Sequence, residues 1–246
     1  MALSAPPDVQ AKLLDMADYD RALNRARTTQ AALADTLHIP SLSAAVEELK
    51  GRRHEAFVEL EGIRSELARA ESDVVIVEMR IATDKERLEH TASAKDAQGL
   101  EHELQSLMGR RSDLEDIELA IMERLDDAEA TEAHIAGDLV TAEEALAHAR
   151  SEEQTQSAEL AAEAARLGSA RAELVALLPS DLVALYERQR ERYGQGASHL
   201  RAGVSSASGV ALTESDIQSV RQAPADEVLL CPDSNAILIR TAESGL

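Results

Sequence analysis

Between residues 46 and 88 the apolar positions fall alternately three and four residues apart. They are Val46, Leu49, Ala56, Leu60, Ile63, Leu67, Ala70, Val74, Val77, Ile81 and Leu88, with Arg53 and Asp84 the polar members of the same series. A 3.5-residue repeat held over about six heptads predicts a left-handed coiled coil. The stretch His90–Gly99 is small and polar and reads as a turn. The series resumes at Leu100, Leu104, Leu107, Arg111, Leu114, Glu118, Ile121, Leu125, Ala128, Glu132, Ile135, Leu139, Ala142, Leu146 and Ala149. It weakens at Glu153, Gln156 and Glu163, recovers at Leu160, Leu167, Leu174 and Leu177, and stops at Pro179.

A short turn between two long helices makes them antiparallel neighbours. Folding near residue 95 sets Val46 opposite roughly Ala142, which leaves residues 145–178 without a partner from that helix. An earlier helix, about 8–37, follows Pro6-Pro7 and has apolar positions at Val9, Leu13, Met16, Leu23, Ala26, Leu33 and Leu37. It ends at His38-Ile39-Pro40, and Ser41 or Ser43 is positioned to cap the next helix. Its length matches the unpartnered stretch. The reading is therefore a helical part over 1–193, with arms at about 8–90 and 98–178, a tip at about 90–98 and a short helix at 180–193. Each arm would be about 120 Å long at 1.5 Å per residue. The alternative is a first helix that folds back to make a three-helix base.

After the joint Gly194-Gln-Gly196 comes a small head at about 197–246. Two hairpin-like segments flank a helix that begins in capping-box style at Thr213-Glu-Ser-Asp216. Its expected core is Val204, Val210, Leu212, Ile217, Val220, Val228, Leu230, Ile237 and Ile239, with docking on the 180–193 helix as a second support. The fold class expected is mainly α: a long antiparallel coiled-coil hairpin with a small α+β head.

Composition agrees with a rod in place of a thick globular core. Aromatic residues are 2% of the chain, with one Phe and no Trp. The net charge of -21 lies almost wholly in the helical part, since residues 186–246 hold six Lys/Arg and eight Asp/Glu. Such a rod repels nucleic acid and anionic membranes and favours a partner with a basic surface. No window is apolar enough to span a bilayer and no signal peptide is read at the N-terminus. The single cysteine, Cys231, permits no intrachain disulfide and fits a reducing, cytoplasmic setting.

The chain resembles the bacterial C4-type zinc-ribbon proteins with an N-terminal coiled-coil hairpin, a former domain of unknown function. The resemblance is strongest at Leu100–Leu107, at Asp113-Leu-Glu-Asp116 and at the ending Ala223–Val228, Ile237–Arg240 and Glu243–Leu246. The ending resembles the actinobacterial branch. The resemblance implies two Cys-x-x-Cys knuckles around zinc, and protein partners as the means of action. It sets the four ligand positions at Ser205, Ser208, Cys231 and Ser234. A neutral hydroxyl is a poor zinc ligand, so the expectation is a degenerate site with no zinc and no other cofactor.

No nucleophile elbow, phosphate loop, metalloprotease helix or calcium loop occurs, and a coiled coil offers no concave catalytic site. The expectation is a non-enzymatic adaptor, scaffold or chaperone-like protein, a monomer or homodimer with an unknown protein partner. Candidate contact residues are Ser93, Lys95, Asp96 and Gln98 at the tip. A second group is Arg188, Arg190, Arg192 and Arg201, the locally basic stretch. The alternative, nucleic-acid binding through the head, is disfavoured by the charge and the missing ligands.

Overall fold

The computed structural model describes residues 3–246. Four helices come first: α1 Pro7–Thr36, α2 Ile39–His90, α3 Ala94–Ala176 and α4 Ser180–Tyr193. The head then adds strands β1 (Ala197–Arg201) and β2 (Val204–Ser205), helix α5 (Glu214–Gln222), strands β3 (Leu229–Leu230) and β4 (Ile237–Ile239), and a closing 3-10 turn at Ala242–Ser244. The fold is mainly helical, a coiled-coil hairpin with a small sheet-containing head. By contact the chain falls into two units. One comprises His38–Arg150, and the other joins Met1–Leu37 to Ser151–Leu246.

In the first unit α2 and the adjoining part of α3 form the antiparallel hairpin. Val46 packs with Leu139 and Leu146, and Ala142 lies against the same cluster, as the seam predicts. Further along, Ile63 and Ala70 meet Ile121, and Val77 and Ile81 meet Leu104. Cross-helix ion pairs follow the same register: Arg53 Nε to Glu132 at 2.8 Å, Arg64 to Glu129 at 2.7 Å, Arg124 to Glu66 at 2.9 Å and Arg80 to Glu103 at 2.9 Å. These pairs are mostly exposed and individually weak, so they pin register more than they stabilise. Arg53 thus meets Glu132 across the seam and reaches water. Asp84 is buried, with one oxygen 3.3 Å from Arg87 and the other unpartnered.

Two boundaries differ from the expected ones. The tip is only Thr91–Ser93, because α3 begins at Ala94. The Ser93 hydroxyl accepts from the Asp96 amide at 3.4 Å and Asp96 sits in the first turn, where a carboxylate suits the helix dipole. Lys95 and Asp96 are therefore first-turn helical residues, and Gln98 follows in the second turn. Helix α2 likewise starts at Ile39 and takes Pro40 into its first turn, where a missing N–H has no cost. Neither Ser41 nor Ser43 caps it; the Ser41 hydroxyl donates to the His38 carbonyl at 2.8 Å. His38 makes the break itself with a left-handed φ of 56°.

In the second unit α1 runs antiparallel to the last part of α3, with Gln30 bonded to Ser157 and Asp20 to Arg171. That is the partner which length matching assigns to it. The seam of α3 ends on Leu167 and Leu174 and is continued past the helix by Leu178, while Leu177 is 70% exposed. The expected place of Leu177 is corrected by one residue, because the helix stops at Ala176 and the chain turns under it.

The head sheet has the order β2-β1-β4-β3, with β1 and β4 parallel and both outer pairs antiparallel. Helix α5 starts as expected, its Thr213 hydroxyl accepting from the Asp216 amide at 3.2 Å. Strand β4 is central and buried on both sides. Ile237 and Ile239 face Leu13, Met16, Leu182 and Tyr186, while Leu238 faces Leu200, Leu212, Val220 and Cys231. This period-two split replaces the single head core of the sequence reading. Val210 and Leu230, expected inside, are 52% and 43% exposed. The head also holds the N-terminal segment. The Ala5 amide donates to the Asp226 carbonyl at 2.8 Å and the Val228 amide to the Leu3 carbonyl at 3.0 Å. Gln10, buried, donates to the carbonyls of Ala5 and Asp226.

Candidate functional site

Three features of the described residues invite a functional reading: a polar cleft, a pair of turns in the head, and exposed apolar residues on the hairpin helices.

The cleft lies where α1, α4 and β1 meet. It encloses about 370 Å³ and is lined by Asp18, Asp20, Arg21, Tyr186, Arg190 and His199, among others. Its floor is a partly buried charge cluster around the buried Asp20. Arg171 Nε donates to Asp20 Oδ1 at 2.7 Å and a second Arg171 nitrogen to Asp20 Oδ2 at 3.2 Å. The Tyr186 hydroxyl donates to Asp20 Oδ2 at 2.8 Å. Arg171 also pairs with Glu187, and Arg190 Nε donates to Glu187 at 2.9 Å. Gly196 permits this arrangement: an added Cβ would lie 2.5 Å from Tyr186 Cδ2 and 2.6 Å from Cζ. Asp20 falls on the α1 stripe between Met16 and Leu23, so a carboxylate interrupting an apolar series was the signal for this cluster.

Burial pushes the Tyr186 hydroxyl well above its ordinary value, and the bond to Asp20 pushes it the same way. Burial raises the Glu187 carboxyl, but hydrogen bonds from Arg171 and Arg190 outweigh it and hold the group below the usual carboxylate range. A depressed folded value means that Glu187 contributes stability above its unfolded pKa of about 4.3 and loses it as pH falls. Urea midpoints followed from pH 7 to pH 3 are expected to drop below about pH 4, and Glu187→Gln is expected to flatten that drop. His199 Nε2 is bonded to Thr241 at 2.8 Å, and the carboxylates at the floor of the cleft are held by arginines.

The four expected ligand positions are partly brought together. Cys231 Sγ lies 3.4 Å from Ser205 Oγ, and Ser205 Oγ lies 2.7 Å from Ser198 Oγ, a residue that the motif comparison did not single out. Burial pushes the Cys231 thiol up. Hydrogen bonding with the Ser205 and Ser234 side chains and with the Ser234 and Asp233 backbone outweighs it and leaves the thiol below its ordinary value. Ser208 stands apart and accepts from the Val210 amide at 3.2 Å. Three hydroxyls and one thiol do not fit zinc, which takes thiolates, imidazoles or carboxylates. Among the described residues no group of three or more His, Cys, Asp or Glu is placed to hold a metal ion.

The remaining candidates are dispersed. Ser93, Lys95, Asp96 and Gln98 are all exposed at the tip. Arg188 and Arg192 are exposed on α4, Arg192 stacking over Tyr193 at 5.4 Å. Arg190 is spent on Glu187 and Asp20, and Arg201 on Glu243 at 2.7 Å. The apolar residues facing water on the hairpin were not read from the sequence as a surface. Val75, Ile76 and Met79 lie together on α2, one turn apart, at 52%, 55% and 58% exposure. Met108, Leu119 and Met122 are similarly exposed on α3. Among the described residues no helix is long and apolar enough to cross a membrane.

Comparison with known proteins places these features in a family. An uncharacterised protein of Mycobacterium tuberculosis is 29% identical over 232 residues, covering 94% of this chain and 95% of its own. A solved structure from Mycobacterium smegmatis matches with a TM-score of 0.85 and 27% identity, covering 97% of this chain and 100% of that one. The structure of CT398 from Chlamydia trachomatis shares the fold, with a TM-score of 0.65 at 18% identity over 94% of this chain and 97% of its own. The model of the CT398-like coiled coil hairpin domain matches residues 16–194, and the chain belongs to that family.

Proposed function

We propose that this protein is a non-enzymatic adaptor, scaffold or chaperone-like protein that holds other proteins on its helical surface and head, in the cytoplasm. The observation that carries the reading is the outward apolar patch Val75, Ile76 and Met79 on α2. Three large apolar side chains clustered on the solvent side of a charged coiled coil suit a protein contact. The net charge of -21 favours a partner with basic residues around an apolar centre. The cleft, whose charged groups neutralise one another, supports the absence of catalysis. The head is read as a degenerate C4 zinc ribbon of the actinobacterial type, kept as a folded surface.

Cross-linking capture in host lysate tests this reading with the wild type, Val75→Ser/Ile76→Ser/Met79→Ser and Arg188→Ser/Arg192→Ser. The expected result is a set of captured proteins lost from the patch variant and kept by the arginine variant. Equal capture by all three sinks the patch. Nucleic-acid binding is the competing reading, and a gel shift at low salt separates the two. No shift is expected at micromolar protein, whereas a shift abolished by the arginine variant would favour nucleic acid.

A further inference from the structure

The two turns of the head, Ser205–Val210 and Cys231–Ala236, are built alike. In the first, the Ser205 amide donates to the Val210 carbonyl at 3.1 Å and the Gly209 amide to the Ser205 carbonyl at 2.8 Å. The Val210 amide donates to Ser208 Oγ at 3.2 Å. In the second, the Cys231 amide donates to the Ala236 carbonyl at 2.8 Å and the Asn235 amide to the Cys231 carbonyl at 2.9 Å. The Ala236 amide donates to Ser234 Oγ at 3.4 Å. The fifth residue of each turn is left-handed, Gly209 at φ 69° and Asn235 at φ 56°. Three matched hydrogen bonds and a matched dihedral make the turns equivalent, position for position.

The first residues of the two turns face each other. Ser205, Ser198 and Cys231 are fully buried, and their side chains form a chain of contacts, Ser198 Oγ to Ser205 Oγ at 2.7 Å and Ser205 Oγ to Cys231 Sγ at 3.4 Å. Ser198 Oγ also accepts from the Ala207 amide at 3.0 Å, which ties the interior of the first turn to β1. The Ser234 hydroxyl lies in the second turn and accepts from the Ala236 amide. Around a tetrahedral zinc with bonds of 2.3 Å, neighbouring thiolates sit about 3.8 Å apart. The Ser205–Cys231 separation is close to that spacing already.

We propose that Ser198, Ser205 and Cys231 form a metal-free clasp, a neutral hydrogen-bonded cluster that joins the two turns where a ribbon would use zinc. The matched first and fourth positions of the two turns, Ser205, Ser208, Cys231 and Ser234, are where thiols would have to stand to hold a tetrahedral ion. This rests on the ribbon reading of the head and is independent of the adaptor role. A neutral clasp needs no deprotonation, whereas zinc binding would drive one proton off each thiol. The head of the wild type therefore folds without a metal supply.

The test uses the full-length chain under reducing conditions. The wild type is expected to give no thiolate-to-cobalt absorption with Co²⁺ and the same melting temperature in EDTA and in zinc. Ser205→Cys/Ser208→Cys/Ser234→Cys is expected to bind one equivalent of Co²⁺ with a tetrahedral spectrum and to melt higher in zinc than in EDTA. Ser205→Ala covers the case in which that variant does not fold. It breaks the link between Ser198 and Cys231, and amide exchange in both turns is expected to quicken at least tenfold. One equivalent of tightly held zinc in the purified wild type overturns the proposal. A folded triple-cysteine variant that binds no cobalt overturns it together with the ribbon reading. Unchanged exchange in Ser205→Ala overturns the clasp alone.

Discussion

Asp20→Ala is expected to destabilise the unit formed by α1, the end of α3, α4 and the head by about 3–5 kcal/mol. The carboxylate accepts from Arg171 twice and from Tyr186 once, and all three side chains are largely buried. Its removal leaves the fully buried Tyr186 hydroxyl without its acceptor and takes from Arg171 one of its two carboxylates, Glu187 remaining. Asp20→Asn keeps the hydrogen bond from Tyr186 but loses the charge, and is expected to fall between the two. Asp20→Ala/Arg171→Ala is expected to cost less than the sum of the single changes, because both changes remove the same ion pair. Urea unfolding, with amide exchange at β1 and β4 as the local readout, measures each case. A loss under 1 kcal/mol for Asp20→Ala would show that the cluster is solvated and structurally idle.

Arg240→Ala is expected to have the second largest effect, about 3 kcal/mol. One guanidinium donates to five backbone carbonyls: Val220 at 3.3 Å, Ala223 at 3.0 Å, Pro224 at 2.6 Å, Ala225 at 3.1 Å and Glu227 at 2.8 Å. These lie at the end of α5 and in the loop that leads to β3, a segment with no regular structure of its own. The planar fork of arginine suits several carbonyls at once, and the point charge of lysine does not. Arg240→Lys is therefore expected to recover less than half the loss. Thermal melting gives the total. Amide exchange at Val228, which bonds to Leu3, reports whether the N-terminal segment detaches with the loop. Equal melting of Arg240→Ala and wild type would sink the claim that this side chain organises the loop.

The hairpin was legible because its determinants are local and periodic. Leu60, Ile63 and Ile81 lie on a spacing that only a coiled coil maintains, and ion pairs such as Arg53–Glu132 follow once the turn is located. The tip came out shorter because Ala94, Lys95 and Gln98 are good helix formers, and Ser93 gives them a start. The head was legible in outline and not in packing. Strand β4 is two-sided, so Ile237 and Leu238 serve different cores, a fact set by contacts with Leu13 and Leu200 far away in the chain. Of the polar residues that matter most, Asp20, Gln10 and Arg171 carry no motif, and Arg240 stood in the resemblance without a role. Each acquires its role from partners on other elements. Of the candidate site, the turns were placed from the resemblance, and Ser198, which completes the clasp, was not.

The strap made by Leu3–Ala5 on the head has a consequence for the order of folding. Ser4 and Asp226 are bonded across 222 residues, whereas Arg80 and Glu103, near the tip, are 23 apart. Loop-closure entropy makes the longer closure about 2 kcal/mol harder when each forms from the open chain. The hairpin is thus set to zip first from the Thr91–Ser93 turn, and the strap to close last. During synthesis α1 emerges with Leu13 and Met16 bare, and the strand that covers them is made more than two hundred residues later. Nascent chains carry an uncovered apolar stripe until β4 is made, and that interval is the one in which this unit is most open to aggregation.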